Sequence, residues 1–178
     1  MKFSRTWAMP SADTFSVQPI KDFVLRYVTP DSCDPFARDS EIATDTNDLN
    51  PETKAKHHME AQAFLTKMAD EGRRYSSVLF DPPYSPRQIS EAYQSCGLKV
   101  GMEETQSARL YSRCRDQIAR IVPVGGHVLS FGWNTVGMGV ERGFTLVEVL
   151  LVCHGGAHND TICIAERRVV EQISIFGG

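Results

Sequence analysis

The residues with the clearest chemical potential are Asp81-Pro82-Pro83-Tyr84, which follow the apolar run Val78-Leu79-Phe80. Two prolines fix φ and remove two N–H donors, so a strand ending at Phe80 stops there and leaves a rigid elbow. In open α/β sheets the carboxyl ends of strands are where ligands bind. The Asp81 carboxylate and a proline carbonyl can accept both hydrogens of a planar exocyclic amine, which frees the nitrogen lone pair. Tyr84 can stack on an aromatic base taken out of its helix. The plainer reading is a proline-rich turn between strand and helix.

The elements that must position this elbow follow from periodicity and punctuation. Residues 1–19 read as a loop, and Ile20, Phe23, Val24 and Tyr27 have the spacing of a helix face. Ile42 to Pro51 reads as a strand delivering an acid at its end. An acid there accepts from ribose hydroxyls in nucleotide-binding sheets, with Asp48 the choice and Asn47 and Asn50 beside it; an Asx turn closed by Pro51 is compatible with that role. Residues 52–69 read as a helix, 71–74 as a turn and 75–80 as the central strand. Ser85-Pro86-Arg87-Gln88 is a capping-box pattern that starts a helix running to about Gly97. Its N-terminus, Ser85 and Arg87 are candidates for a nucleic-acid phosphate, against the plainer reading of a surface arginine.

Residues 98–108 lack a period and read as a loop near the cleft. A helix over 110–122 leads through Pro123-Val124-Gly125-Gly126 into a strand over 127–132. Trp133 and Asn134 then stand at the same sheet edge as Asp81. They could line a base pocket, or serve as core packing and an N-cap. Strands over 145–153 and 161–166 form a closing antiparallel pair. Cys153, His154, His158 and Cys163 lack a paired-knuckle spacing, and the adjacent His57 and His58 point apart on a helix, so no metal site is expected.

A chain of 178 residues with 42% hydrophobic and 23% charged residues reads as one domain with a real core. No apolar run approaches the roughly 20 residues of a membrane span, and the first residues lack a signal-peptide pattern. Five scattered cysteines suit reduced thiols and a cytoplasmic setting. A net charge of −3 argues against a general polyanion-binding surface, but not against a local basic rim.

The Asp81-to-Tyr84 elbow resembles the signature of the amino-methyltransferases that use S-adenosylmethionine to methylate adenine N6 in DNA. The resemblance extends to Asp34-Pro35-Phe36, similar to the family's first cofactor motif, although Ala37-Arg38-Asp39-Ser40 holds no glycine. It implies a Rossmann-like class I fold: a single α/β domain with a seven-stranded, mostly parallel sheet, an antiparallel last strand and helices on both faces. Residues 1–75 would form the cofactor-binding half and 76–178 the catalytic half. The implied cofactor residues are Pro10, Thr14 and Phe15 over the methionine end, Asp34, Pro35, Phe36 and Ala37 in the first motif, and Asn47, Asp48 and Asn50 after the second strand. Glu60 and Ala61 would stand at the cofactor adenine. The implied catalytic residues are Asp81, Pro82, Pro83 and Tyr84.

The implied reaction is direct methyl transfer to a flipped adenine, with S-adenosylmethionine as cofactor and DNA as partner. No Pro-Cys pair supports cytosine C5 chemistry. RNA adenine and cytosine N4 remain alternative acceptors, because the elbow binds an amine rather than a named base. A catalytically inactive module that binds nucleic acid or the cofactor is the rival from another class. Little of the chain beyond 85–111 is left to read a target sequence. That implies a short or relaxed site, read by one subunit or by a homodimer.

Overall fold

The computed structural model describes residues 1–83, 90, 93–94, 97, 107–134, 136–156 and 158–170. Tyr84, Ser85 and Arg87 lie outside them. Seven strands form one sheet: β1 (Lys2–Trp7), β2 (Ser32–Asp34), β3 (Asp45–Thr46), β4 (Ser77–Phe80), β5 (His127–Gly132), β6 (Phe144–Cys153) and β7 (Thr161–Arg168). Their order is β1-β6-β7-β5-β4-β2-β3. β7 runs antiparallel to both of its neighbours, and every other pairing is parallel. The carboxyl ends of all strands but β7 therefore share one edge.

Among the described residues three longer helices cover the sheet. Helix α1 (Gln18–Leu25) lies on one face and buries Ile20, Phe23 and Val24 with Leu79, Leu129, Phe131, Leu150 and Val152. Arg26 and Tyr27, just past its end, reach Glu148 of β6 at 2.8 and 2.7 Å, where Lys2 of β1 also ends at 3.1 Å. Helices α2 (Ala61–Asp70) and α3 (Ser107–Ile121) lie on the other face, over Val78, Phe80 and Val128. Phe64, Leu65 and Met68 of α2 meet Tyr111, Cys114, Ile118 and Ile121 of α3, the i, i+3/i+4 spacing of a buried stripe. An Arg120–Asp70 pair at 2.7 Å joins their exposed sides.

Three elements differ from the sequence expectation, the first being the strand read over Ile42 to Pro51, which is confined to Asp45–Thr46. The segment read as an N-terminal loop contains β1, an edge strand that pairs with β6. The helix expected over 52–69 begins only at Ala61. Residues before it are held against β3 instead, by Asp48 N–H donating to the His57 carbonyl and His57 N–H to the Thr46 carbonyl, both at 3.0 Å.

Among the described residues no α-helix stands between β5 and β6, only a 3₁₀ turn at Val140–Arg142. The connection crosses the sheet face opposite α1 as a glycine-bearing loop, with Met138 and Gly139 N–H groups donating to the Glu166 carboxylate at 2.5 and 3.0 Å. A Cβ on Gly137 would come within 2.0 Å of that carboxylate and 2.8 Å of Ile164. Gly137→Ala should therefore lower stability by about 2 kcal/mol or more, read as a reduced denaturant midpoint with unchanged slope. Among the described residues no helix is long and apolar enough to cross a membrane.

Candidate active site

Strand order places a topological switch point between β2 and β4: the chain leaves β2 for β3 on one side and returns as β4 on the other. Crevices at such points, outside the carboxyl ends of the strands, are the usual ligand sites of doubly wound sheets. Asp34, the last residue of β2, and Asp81, the first after β4, flank this one.

Asp34 is fully buried. Its Oδ1 accepts the Phe36 N–H at 2.9 Å, whereas its Oδ2 meets no donor. Burial pushes its carboxyl up to about 8; the Phe36 bond pulls partly back, and the charges of Asp81 and Asp48 add to the rise. A buried acceptor without a donor beside a second carboxylate suits a cationic, hydrogen-bonding group of a ligand.

The turn after β2 contains no glycine, and Arg38 takes the conformation a glycine usually supplies, with φ at +51°. Its N–H donates to Asp48 Oδ2 at 3.1 Å, and its guanidinium donates to the Ala12 carbonyl at 2.7 Å. Asp48 Oδ1 accepts from the Asn50 N–H at 2.8 Å. Asp48 thus closes an Asx turn while staying half-buried two residues past β3, with lone pairs left over for a ribose-type donor. Asn47 is fully buried; its Oδ1 accepts from Met59 N–H at 3.1 Å, and its Nδ2 donates to the Pro35 and Met59 carbonyls. Those bonds occupy its amide, so it fixes the turn of Pro35 and the entry to α2. Asn50 accepts from the Glu52 N–H, and Ala37 is buried with its N–H on the Asn47 carbonyl. Phe36 packs edge-on to Phe80 at 5.8 Å. Glu60 occupies the N-cap position of α2 and Ala61 is buried in its first turn.

In the N-terminal segment, Phe15 is buried edge-on against Phe131 at 5.2 Å, in the core under α1. Thr14 opens a single 3₁₀ turn capped by Asp13, and Pro10 is half-buried just after β1.

At the elbow, Asp81 is half-buried, Pro82 buried and Pro83 half-buried. The Tyr111 hydroxyl of α3 donates to the Pro83 carbonyl. Burial holds that hydroxyl far above the usual phenol range, so it remains a donor. Tyr111 also packs edge-on to Phe80 at 6.2 Å. Sequence reasoning missed it; its place on the apolar stripe of a helix gives no sign that its hydroxyl reaches the elbow. With Pro83 so engaged, the Pro82 carbonyl is the one that meets no donor among the described residues. Tyr111→Phe should loosen the elbow and lower stability by about 1 kcal/mol, read as a reduced denaturant midpoint.

Trp133 and Asn134 follow β5 at the same edge. Trp133 is 43% exposed, and Asn134 accepts from the Val136 N–H at 3.0 Å in an Asx turn. In the β6–β7 connection, the His154 ring donates from Nδ1 to the Ala8 carbonyl and accepts at Nε2 from Thr161, both at 2.9 Å. Among the described residues no group of three or more His, Cys, Asp or Glu is placed to hold a metal.

No protein-family model matches the chain, and no curated protein does. Solved structures do. TrmN from Thermus thermophilus aligns with 86% of this chain and 49% of its own, at 15% identity and a TM-score of 0.55. NSun6 from Pyrococcus horikoshii, crystallised with SFG, aligns with 78% of this chain and 48% of its own, at 13% identity and a TM-score of 0.52. SMU.776, complexed with SAH, aligns with 76% of this chain and 44% of its own, at 12% identity and a TM-score of 0.54. The chain thus spans about half the length of these structures. At such identities the likeness defines the fold, a Rossmann-like class I methyltransferase sheet.

Proposed function

We propose that the chain transfers a methyl group from S-adenosylmethionine to the exocyclic N6 of adenine in DNA. One observation carries the reading: the Asp81-Pro82-Pro83 elbow stands at the switch point beside Asp34, whose buried Oδ2 lacks a donor. The methionine ammonium of S-adenosylmethionine would give that oxygen a partner, Asp48 would accept from the ribose, and Glu60 would face the adenine amine. Similar folds crystallised with SAH and SFG support this choice of cofactor.

When bound, the cofactor supplies an electrophilic methyl. The chain's part is orientation. Asp81 Oδ and the Pro82 carbonyl accept the two hydrogens of the target amine, turning its lone pair toward the methyl, and Tyr84 stacks the base. The amine is itself the nucleophile, so no cysteine takes part. Cys33, Cys114 and Cys163 are buried, and burial raises each thiol above its ordinary range.

The test is transfer of labelled methyl from S-adenosylmethionine to unmethylated duplex DNA, single-stranded DNA and RNA, followed by nucleoside analysis. Label in N6-methyladenine from DNA is the expected result. Label in N4-methylcytosine, or from RNA alone, would keep the elbow chemistry and replace the substrate.

A further inference from the structure

We infer that the sheet face of β1 opposite α1 is a stacking platform for single-stranded nucleic acid. The inference draws on the proposed function only in taking nucleic acid as the acceptor.

Parallel register pairs Phe3, Arg5 and Trp7 with Val149, Leu151 and Cys153 of β6, so these three side chains share one face. Lys2, Ser4 and Thr6 share the other face with Glu148, Leu150 and Val152, under α1. Phe3 is 64% exposed and Trp7 61% exposed. Arg5 between them is exposed, with its Nε on the Cys153 sulfur at 3.1 Å and Asp160 nearby. This surface is open because the β5–β6 connection is a loop held to Ile164 and Glu166, and among the described residues no helix reaches past it to β1.

Exposure alone does not name an occupant; three further observations do. The row alternates aromatic, guanidinium, aromatic, which offers two base-stacking faces around one phosphate partner. On this face β1 presents one cation, Arg5, and no acid of its own, which suits a single phosphate contact in a chain whose net charge is −3. Spacing then selects the strand type. Four strand residues separate the two rings by about 13 Å, several times the roughly 3.4 Å rise of stacked bases, so only a strand with its bases spread apart meets both. Trp7 ends β1 at the carboxyl edge that also carries Asp81 and Trp133, and its indole lies against Gly155 of the β6–β7 loop. A strand lying along β1 therefore reaches the edge of the sheet that carries the elbow, four strand positions away from β4.

The test is fluorescence anisotropy with labelled oligothymidine, oligouridine and a short mixed duplex, on wild type, Phe3→Ala, Trp7→Ala and Arg5→Gln. Leu25→Ala, an exposed apolar position of α1, is the control. Wild type should bind single strands more tightly than duplex. Each aromatic replacement should weaken single-strand binding on the order of tenfold, and Arg5→Gln should flatten the dependence on salt by about one unit of log–log slope. Leu25→Ala should change nothing, and circular dichroism should show every variant folded. Oligothymidine against oligouridine separates DNA from RNA. Unchanged affinity in both aromatic variants overturns the inference. So does equal affinity for duplex, or a dimer seen by light scattering that these variants dissolve while nucleic-acid binding stays the same. Failure of the proposed function looks different: the wild type binds single strands normally and transfers no label to any of them.

Discussion

For the proposed reaction, Asp81→Ala should lose about a thousandfold in methyl transfer while still binding S-adenosylmethionine, as measured by single-turnover labelling and by cofactor titration. Asp81 is the carboxylate of the elbow and is held by a strand end with two prolines behind it, so alanine leaves the backbone in place and removes one acceptor for the target amine. Positioned acceptors of this kind are worth roughly two to four orders of magnitude. The variant carries an internal check. The charge of Asp81 helps to raise the Asp34 carboxyl, so removing it should move the Asp34 titration toward lower pH. A loss of activity without that movement would mean the two carboxylates do not share a site. Loss of cofactor binding in equal measure would make Asp81 a cofactor ligand and overturn its role at the amine.

Asp34→Asn should remove the fall in stability with rising pH that the raised Asp34 carboxyl imposes. The folded carboxyl lies near 8, against an ordinary value of 3.8. The native state therefore holds a proton that the unfolded chain releases. The contribution is complete below the unfolded pKa, is lost progressively from about pH 4 to about pH 8, and has no further slope above that. By linkage the loss is on the order of 5 kcal/mol, a large part of a domain's stability. Asparagine keeps an oxygen for the Phe36 N–H and cannot ionise. The variant should melt close to wild type at pH 4.5 and well above it at pH 8.5, by calorimetry. Equal slopes for the two proteins would remove Asp34 as the cause. Cofactor binding adds a second readout: a cation at Oδ2 draws the pKa down, so titration of S-adenosylmethionine near pH 7 should release a proton in wild type and none in the variant.

The parts of the fold that were legible in the sequence were those where local chemistry and tertiary context agree. Two prolines end β4 in any surroundings, and His127 to Gly132 was found at its full length because an apolar run is bounded by glycines. The seven-stranded sheet and its antiparallel last strand were anticipated, but through the resemblance, and one strand came from an unexpected place. β1 was read as loop because its aromatic residues alternate on a face that stays open, whereas a strand is usually recognised by the side it buries. The late start of α2 was hidden because helical propensity over 52–60 yields to the bridge between Asn47 and His57. The first turn lacks a glycine, yet Arg38 enters the left-handed region at a cost of about 1 kcal/mol and its guanidinium anchors the turn to Ala12. The buried Oδ2 of Asp34 and the Tyr111 hydroxyl on the elbow depend on packing between distant segments, which no local pattern records.

The pairing of β1 with β6 also dictates an order of assembly. Lys2 has no strand partner until Glu148 has been made, so β1 is synthesised before every other strand and docks among the last. Until then the β6 edge is unpaired and Phe3 and Trp7 travel on an unanchored segment. Closing so long a loop adds little to the equilibrium cost but slows the final step. Proline-independent slow refolding that vanishes when β1 is deleted, with the remaining sheet still cooperative, would be the kinetic mark of an edge strand that latches a nearly finished domain.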